Sequence, residues 1–271
     1  MDAPKVPVQG VRHFITVGSG KGGVGKTTVS VNLALALAKL GHRTGLIDAD
    51  MYGPNVPRML GVNQPPMGDG QRIRPIEHHG LKIMSMGFLS PTDRPIIWRG
   101  PMLHSAIQQF VRQVDWGDLD FLIVDLPPGT GDVSLSLAQT TAISGAIVVT
   151  TPSEVSLEDA RKAVLMFQQL KVPVMGIVEN MSYLVVPGSD QRVDVFGQGG
   201  GKRTAEAMQV PLLGELPLIP EIRIGGDNGK PVTLLGPDAP VARPFYELAQ
   251  GVAARAAETG SHKAPTISVE D

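Results

Sequence analysis

Residues 17–28 read VGSGKGGVGKTT, a glycine-rich stretch with two lysines. Gly20, Gly25, Lys26 and Thr27 match the spacing G-x-x-x-x-G-K-[ST], which is typical of a loop that folds around the phosphate groups of a nucleotide. Glycines let the backbone turn sharply and point several N–H groups at phosphate oxygens, and a following helix adds the positive end of its dipole. The sequence therefore predicts a nucleotide-phosphate site here.

The surroundings of the loop agree with that interpretation. The apolar run HFITVGS, from residue 13, precedes the loop and predicts a strand, and apolar residues spaced three or four apart follow it and predict a helix. Within the loop, Lys26 is expected to reach the β- and γ-phosphates, and the hydroxyl of Thr27 is expected to ligate Mg²⁺. The full set of nucleotide-binding residues expected in the loop is Gly20, Lys21, Gly22, Gly23, Val24, Gly25, Lys26, Thr27 and Thr28.

Short runs rich in Val and Ile alternate with stretches of helical period along the rest of the chain. This alternation predicts βαβ units, and so an α/β fold with a mostly parallel sheet and helices on both faces. The expected strands are HFITVGS from 13, RTGLIDAD from 43, FLIVDLP from 121, GAIVVTTP from 145, VPVMGIVEN from 172 and PLLGELP from 211. Besides the helix after the loop, the expected helices cover residues 101–114, 132–142, 154–170, 200–208 and 240–257.

Length and composition favour a single domain. The chain has 271 residues, of which 42% are hydrophobic, and this is enough for one large domain with a buried core. We expect that domain over residues 11–258, with flexible tails over 1–10 and 259–271. Residues 61–98 hold many Gly and Pro and break the alternation, which predicts an excursion such as a hairpin.

Charge, hydropathy and cysteine content exclude several classes of function. There are 24 Lys and Arg against 26 Asp and Glu, so strong nonspecific binding to nucleic acid is not expected. No apolar run approaches the roughly 20 residues that span a bilayer, and MDAPKVPVQG lacks the layout of a secretory signal, so we expect no membrane partner and a cytoplasmic location. With no cysteine, disulfides, thiolate nucleophiles and cysteine-ligated metal centres within one chain are excluded.

Three aspartates follow apolar runs that predict strands. Asp125 ends FLIVD, so its carboxylate is expected at the carboxyl end of a buried strand, where α/β folds place their ligand crevice, and it can hold Mg²⁺ through water. Asp48 and Asp50 lie in LIDAD, and Asp50, further out, is expected to orient an attacking water or to ligate Mg²⁺. The alternative role is a helix N-cap, which suits Asp48 better than Asp125. Because the guanine-reading pattern N-K-x-D is absent, adenine is the better candidate base, which makes ATP the expected nucleotide.

Several stretches resemble the P-loop ATPases with a deviant Walker A motif, a group that includes MinD, ParA, the nitrogenase iron protein and the arsenite-pump ATPase. GKGGVGKTT is similar to that motif, and within the group the chain most resembles the Mrp/ApbC iron–sulfur cluster carriers. The stretches that carry the resemblance are LIDADMYGPNVPRMLG ending at 61, WRGPM at 98, DFLIVDLPPGTGDVSLSL at 120, VTTPSEVSLEDARKA at 149, GIVENMSY at 176 and VFGQGGGKRTAE at 195.

The resemblance implies a slow, Mg²⁺-dependent ATP hydrolase that works as a homodimer. In such a dimer the first lysine of the loop, Lys21, crosses the interface to the partner's nucleotide and acts like an arginine finger. The alternative is an exposed lysine in a polar loop. The resemblance also implies that Asn180, in GIVEN, and Pro217, in GELPLIPEI, contact the adenine, although Asn180 could equally be a turn residue at a strand end.

The chain departs from the resemblance at one place. In the cluster carriers, NMSY is followed closely by a Cys-x-x-Cys pair, and two subunits together hold a cluster with four thiolates. Here Val186 and Ser189 stand where the cysteines are expected, and neither is a soft thiolate ligand. Three explanations stay open: ligands from a client, a family branch whose ATPase serves assembly without carrying the cluster, or removal of the cysteines by mutation. The flanking residues favour a natural branch, with an iron–sulfur scaffold and apoprotein clients as the partners to expect.

The leading interpretation is therefore an Mrp-type ATPase in the maturation of iron–sulfur proteins. One alternative is a positioning switch of the MinD or ParA kind, but the chain ends GSHKAPTISVED, which is not a basic amphipathic membrane helix. Another alternative is a metabolic enzyme that phosphorylates or ligates a small molecule. Residues 61–98 and 181–198 could form its substrate pocket, but they hold no obvious catalytic constellation.

Overall fold

Strands and helices alternate along the part of the chain that the computed structural model describes, which comprises residues 5–51, 53–68, 72–89, 100–129, 131–186, 188–189 and 191–260. The strands are β1 Val11–Ser19, β2 Thr44–Asp48, β3 Met67–Gly68, β4 Ile73–Arg74, β5 Ile76–His78, β6 Leu81–Ser85, β7 Leu119–Asp125, β8 Gly145–Thr150, β9 Val174–Glu179, β10 Leu184–Val185, β11 Arg192–Val193 and β12 Leu212–Glu215. The helices are α1 Lys26–Lys39, α2 Val56–Leu60, α3 Gly100–Arg112, α4 Asp132–Thr140, α5 Glu154–Gln169, α6 Gly200–Ala207, α7 Pro220–Asp227 and α8 Arg243–Gly260.

Eight of the strands form one sheet in the order β12-β9-β8-β1-β7-β2-β6-β5. All neighbours in it are parallel except β5, which runs antiparallel to β6. Helices cover both faces, because residues of α1 and α8 pack on one face and residues of α3, α4 and α5 pack on the other. The mostly parallel α/β sheet predicted from the sequence is confirmed, and its six predicted strands and six predicted helices all occur.

The register of the central strands brings their carboxyl ends together. Asp125, the last residue of β7, pairs with Val17 of β1 on one side and with Asp48 of β2 on the other. Residues 121–124 of β7 are buried, as expected for a central strand with helices on both faces. Because parallel strands end at the same edge of a sheet, the loops that follow β1, β2 and β7 meet at this edge.

The excursion expected over residues 61–98 is only partly separate from the sheet. Strands β3 and β4 form a small antiparallel pair, and β5 and β6 form a hairpin of the kind expected. However, β6 also pairs in parallel with β2, so it belongs to the central sheet. Its apolar residues Leu81, Ile83 and Met84 are buried there, and this burial is what draws the segment into the fold. Residues 90–98 lie outside the described residues.

The described part of the expected N-terminal tail packs against the domain. The Val6 N–H donates to the carbonyl of Thr140 in α4 at 3.1 Å, and the Ala142 N–H donates to the Val6 carbonyl at 3.2 Å. Val8 is buried in the core. Residues 5–10 are therefore not the free tail that their position in the sequence suggests, because an apolar side chain anchors them. Helix α8 continues to Gly260, and residues 1–4 and 261–271 of the expected tails lie outside the described part of the chain.

Helices α2 and α7 have no counterpart in the sequence-based prediction. Each is short, and each carries a proline, Pro57 or Pro220, at one of its first two positions, where the missing N–H costs no helical hydrogen bond. The two helices approach closely, since a Cβ on Gly226 would lie 3.1 Å from the Met59 Cε. Among the helices described, none is long and apolar enough to cross a membrane.

A buried carboxylate ties α2 and β6 to the end of β2. Asp48 accepts hydrogen bonds from Ser85 Oγ at 2.9 Å, from the Val56 N–H at 3.2 Å and from the Asp50 N–H at 3.2 Å. Burial raises the pKa of Asp48 to about 8, the negative charge of Asp125 adds to this shift, and the three hydrogen bonds oppose it without cancelling it. Because the Val56 N–H begins α2, Asp48 takes part in starting a helix, which is the alternative role that its sequence position suggests.

The raised pKa of Asp48 gives a pH-dependent contribution to stability. The unfolded chain loses this proton near pH 3.8 and the folded chain near pH 8, so between these values the folded state binds more protons. The free energy of unfolding contributed by this group should therefore fall as pH rises from about 4 to about 8. Asp48→Asn cannot ionise and should lose this slope, which urea unfolding of both proteins from pH 5 to pH 8 would measure. Parallel stability curves for the two proteins would contradict the expectation.

Candidate nucleotide site

The loop of residues 20–25 connects β1 to α1 and depends on glycine at two positions. Gly23 and Gly25 have φ angles of 82° and 79°, in the left-handed region that favours glycine. At Gly25 a Cβ would also lie 2.2 Å from the Asn180 Nδ2. At Gly20 a Cβ would lie 2.1 Å from the backbone carbonyl of Asp159 in α5. The loop is thus held tightly between α5 and Asn180, and any side chain at Gly20 or Gly25 would displace it.

Lys26, the first residue of α1, is bound to a buried carboxylate. Its Nζ donates to Asp125 Oδ1 at 2.8 Å, Thr27 Oγ1 donates to Asp125 Oδ2 at 2.7 Å, and Ser30 Oγ donates to Oδ1 at 2.7 Å. The side chain of Lys26 is only 6% exposed and that of Asp125 is fully buried. Charge-assisted hydrogen bonds of this kind are among the stronger ones in proteins, so Asp125 fixes the start of α1 against the end of β7.

Asp50 lies beside this group. Its Oδ2 is 4.0 Å from the Lys26 Nζ, and its Oδ1 accepts a hydrogen bond from the Gly53 N–H at 3.3 Å. Its side chain is 13% exposed, so it lies between the buried group around Asp125 and the protein surface. The structure thus brings Lys26, Thr27, Asp50 and Asp125 together, as the sequence pattern predicts.

Lys21 differs from Lys26 in its surroundings. Its backbone carbonyl accepts a hydrogen bond from Ser19 Oγ at 2.9 Å, which fixes the loop at this residue. Its side chain is partly exposed, and in the described ranges its ammonium group makes no hydrogen bond or ion pair. The structure therefore holds the backbone of Lys21 in place and leaves its charge available.

A cavity of about 590 Å³ opens over the loop, within the size range of small-molecule sites. One side of it, the loop wall, consists of residues 21–28 together with Asp50. The cavity is also lined by a set of apolar side chains, the apolar wall, formed by Met181, Pro217, Leu218, Ile219 and Ile222. A polar wall next to an apolar one suits a ligand that carries phosphates at one end and a flat ring at the other.

Asn180 contacts the loop directly. It is buried, its Nδ2 donates to the Val24 carbonyl at 2.8 Å, and its N–H donates to the Thr150 carbonyl at 2.8 Å. Asn180 and Pro217 both line the cavity, Asn180 next to the loop and Pro217 in the apolar wall. Their contact with adenine stays a prediction, and the structure adds that the Asn180 amide also supports the loop.

Val186 and Ser189 lie in the turn that joins β10 to β11. The Ser189 N–H donates to the Val186 carbonyl at 3.1 Å, and the Val186 N–H donates to the Gln191 carbonyl at 3.0 Å. Across the residues that the structure describes, no three His, Cys, Asp or Glu side chains are grouped so that they could hold a metal ion. The described residues of the turn therefore belong to no group of three such side chains that could replace the expected thiolates.

The sequence-based prediction missed several residues of the site. Ser30 had a usable signal, because its i,i+4 spacing from Lys26 places it on the same face of α1. Arg58 of α2 and Arg223 and Asp227 of α7 line the cavity, but they lie on short helices that no periodicity marks. Residues 98, 99 and 130, within WRGPM and DLPPGTG, lie outside the described residues.

Comparisons with known proteins show the family to which the chain belongs. The model of the ParA family, described as NUBPL iron-transfer P-loop NTPase, matches residues 10–253. An iron–sulfur cluster carrier protein of Deinococcus radiodurans is 52% identical over 252 residues, which cover 92% of this chain and 71% of that protein. The iron–sulfur cluster transfer protein NUBPL of Mus musculus is 44% identical over 252 residues, which cover 92% of this chain and 79% of that protein.

Solved structures match along most of the chain. A nucleotide-binding protein from Archaeoglobus fulgidus in complex with ADP superposes with a TM-score of 0.75 at 35% identity, over 85% of this chain and 91% of that one. The cell division ATPase MinD of Pyrococcus furiosus superposes with a TM-score of 0.66 at 24% identity, over 90% of this chain and 99% of that one, and this likeness concerns the fold alone. The chain therefore belongs to the ParA family of NUBPL iron-transfer P-loop NTPases.

Proposed function

We propose that this protein is an ATP-hydrolysing homodimer that assists the assembly of iron–sulfur clusters or their transfer to apoproteins, without cysteine ligands of its own. The observation that carries the nucleotide part is the group of Lys26, Thr27, Asp50 and Asp125 beneath a cavity large enough for a nucleotide. The names of the relatives, iron–sulfur cluster carrier and transfer proteins at 43–52% identity, support the cluster part. The match to MinD supports a shared fold rather than a positioning switch.

The phosphates of ATP would replace Asp125 as the main partner of Lys26. Lys26 and the loop N–H groups at the start of α1 offer positive charge to the β- and γ-phosphates. Thr27 and Asp125, with Asp50 nearby, form a set of oxygen donors, which is the kind that Mg²⁺ prefers, so these residues fit the ion and would hold it directly or through water. When bound, Mg²⁺ would neutralise negative charge on the phosphate oxygens.

Hydrolysis then needs an oriented water and one more positive charge. Asp50 borders the cavity beside Lys26, where its carboxylate can accept a proton or a hydrogen bond from the attacking water. Lys21 of the partner subunit would supply the additional charge as negative charge develops in the transition state, as an arginine finger does. The site of a single subunit would lack the partner's Lys21, so we expect a monomer to hydrolyse ATP slowly.

The base of the nucleotide would lie against the apolar wall. Pro217 offers an apolar surface to the face of an adenine ring, and the Asn180 amide can both donate to and accept from the adenine edge. Contact with the base would compete with the present hydrogen bond from Asn180 to the Val24 carbonyl. Asn180 is therefore placed to sense both the base and the loop.

The cluster is cargo in this proposal, and its thiolate ligands come from other proteins. The chain contains no cysteine, and Val186 and Ser189 belong to no group of three metal-ligating side chains among the residues that the structure describes. A scaffold that donates the cluster and an apoprotein that receives it would each supply their own thiolates. The ATPase would then act on such a complex rather than carry the cluster itself. We place this activity in the cytoplasm.

Truncating Lys26 and truncating Lys21 should affect different steps, ATP binding and ATP hydrolysis respectively. Lys26→Ala removes a charge-assisted contact with phosphate and should weaken ATP binding by about ten-fold or more. Lys21→Ala should leave binding nearly unchanged and lower kcat by on the order of a thousand-fold. Calorimetric ATP binding and steady-state hydrolysis measure the two effects, and Lys39→Ala, an exposed lysine at the other end of α1, is the matched control. Equal loss of binding in the two loop variants would contradict the assignment of Lys21.

Mixing the two variants tests whether Lys21 acts across the dimer. In a mixed dimer, the Lys21→Ala subunit keeps its own Lys26 and receives Lys21 from the Lys26→Ala subunit, so one of the two sites is complete. An equimolar mixture that exchanges subunits freely should therefore recover about a quarter of the wild-type rate. No recovery from a mixture that has exchanged its subunits would show that Lys21 acts within its own subunit.

The cluster role predicts an effect on transfer between two other proteins. With Mg²⁺ and ATP, the anaerobically purified protein should speed transfer of a cluster from a loaded scaffold to an apoprotein, and Lys21→Ala should not. Recovery of the apoprotein's activity with time measures the transfer. If transfer were unaffected while ATP hydrolysis was intact, the cluster role would be excluded and the ATPase would remain.

Thiols placed at the β10–β11 turn test whether this fold can hold a cluster there. The double change Val186→Cys and Ser189→Cys should allow anaerobic reconstitution with iron and sulfide to give about one cluster per dimer, because two such pairs supply four thiolates. Iron and sulfide analysis and visible absorption measure the result, with the single variants as controls. Failure of the double variant to bind iron, in a protein that still dimerises, would show that the turn is not built for a cluster.

A further inference from the structure

Hydrogen bonds join the two segments that border the base side of the cavity. Leu216 N–H donates to the Glu179 carbonyl at 2.8 Å, and Ser182 N–H donates to the Leu216 carbonyl at 2.9 Å. One step further, Leu218 N–H donates to the Tyr183 carbonyl at 2.7 Å. The segment with Asn180 and Met181 and the segment with residues 217–219 are therefore one hydrogen-bonded unit, and the position of one fixes the position of the other.

The first of these segments makes an unfavourable turn in the middle. Met181 has a φ of 54°, in the left-handed region that a residue with a side chain enters at an energetic cost. Its neighbour Asn180 supports the loop, and Met181 itself lines the apolar wall. A turn of this kind persists only where surrounding contacts hold it, and such turns cluster at functional sites.

The side chain of Glu179 supplies those contacts. It is fully buried, and it accepts a hydrogen bond from Ser182 Oγ at 2.6 Å and another from the Gly201 N–H. The first bond spans Met181, since it links the residue before Asn180 to the residue after Met181. The second bond attaches the turn to the start of α6, whose positive dipole end offsets the buried charge.

The Glu179 carboxylate lies so close to the start of α6 that only glycine fits at position 201. A Cβ on Gly201 would lie 2.8 Å from the Glu179 Oε2, so a side chain here would push the carboxylate away. Within the described ranges no cation pairs with Glu179, which leaves the hydroxyl of Ser182 and the helix N–H as its partners. Burying a carboxylate with so few partners costs folding free energy, which points to a role for Glu179 in the site rather than in stability.

We propose that Glu179 and Ser182 are positioning residues for recognition of the nucleotide base. Their hydrogen bond closes the Met181 turn, and so presents Asn180 and Met181 to the base at a fixed distance from residues 217–219. The inference rests on the proposed function, because it assumes that a nucleotide base lies against the apolar wall. It assigns base selectivity to two residues that lie outside the phosphate-binding loop and beside Asn180 and Met181 in GIVENMSY.

Ser182→Ala tests the inference with little risk to folding, because it deletes one hydroxyl. Calorimetric titrations of the full-length protein with Mg-ATP and with Mg-tripolyphosphate, which has no base, separate the two sides of the cavity. The Kd for Mg-ATP should rise about five-fold, as expected from one lost hydrogen bond, while the Kd for Mg-tripolyphosphate changes less than about two-fold. The control is Tyr246→Phe, which also deletes one buried hydroxyl hydrogen bond, from Tyr246 in α8 to the Thr233 carbonyl. This variant should change neither of the two Kd values.

Other outcomes of these titrations would overturn the inference, the proposed function or both. An unchanged Kd for Mg-ATP in Ser182→Ala, or an equal rise in both Kd values, would overturn the inference. Wild-type protein that bound Mg-ATP no more tightly than Mg-tripolyphosphate would overturn base recognition in the proposed function, and the inference with it. Only the first case leaves the proposed function standing, so the two failures are distinguishable.

Glu179→Gln and Glu179→Ala separate hydrogen bonding from charge. A glutamine can accept from the Gly201 N–H with its oxygen and donate its NH₂ to Ser182 Oγ, because a hydroxyl also accepts. Glu179→Gln should therefore keep the ratio of the two Kd values within about two-fold of wild type, whereas Glu179→Ala should lose at least as much selectivity as Ser182→Ala. Equal loss in both Glu179 variants would show that the charge itself acts, against positioning by hydrogen bonds.

Discussion

Three hydrogen bonds to the buried carboxylate of Asp125 join the central sheet to α1 and so position the nucleotide site. Asp125 ends the central strand β7 and is fully buried, so it would be strongly destabilising without partners. Its three donors, Lys26, Thr27 and Ser30, all lie in the first five residues of α1. The sheet therefore determines where α1 begins, and α1 in turn fixes the end of the phosphate-binding loop.

The two lysines at this end of the sheet differ in their contacts. Lys26 is already committed to Asp125 inside its own subunit, and an anion that reaches it must compete with a carboxylate 2.8 Å away. Much of the positive electrostatic potential at the loop wall therefore comes from backbone N–H groups and from the helix dipole. The ammonium group of Lys21 has no partner in the described ranges, so it is available to a ligand or to another subunit. A division of this kind is what a site completed by a second subunit requires.

The sequence predicted the parts of the site that depend on local rules. The loop glycines, the strand before them and the apolar spacing after them are all set within 30 residues, and buried strands that end in aspartate identify Asp48 and Asp125. The parts that it missed depend on distant contacts. Asn180 and Val24 are 156 residues apart in sequence, so no local pattern could assign the amide to the loop carbonyl. The hairpin that contains β6 was expected, but its place in the central sheet was not, because that place comes from pairing with the distant strand β2.

The β10–β11 hairpin, which has no thiolates, is attached directly to the cavity. Leu184 of β10 forms a bridge with Leu218, and Tyr183 accepts from the Leu218 N–H, so the hairpin is built onto the apolar wall of the cavity. A shift of that wall would move the hairpin whether or not the turn carried a cluster. Val193, Val195 and Phe196 expose apolar side chains beside it, a surface that suits contact with a protein more than with a metal ion. An ATPase with this link intact and no ligands of its own is therefore better suited to act on a cluster that a partner holds.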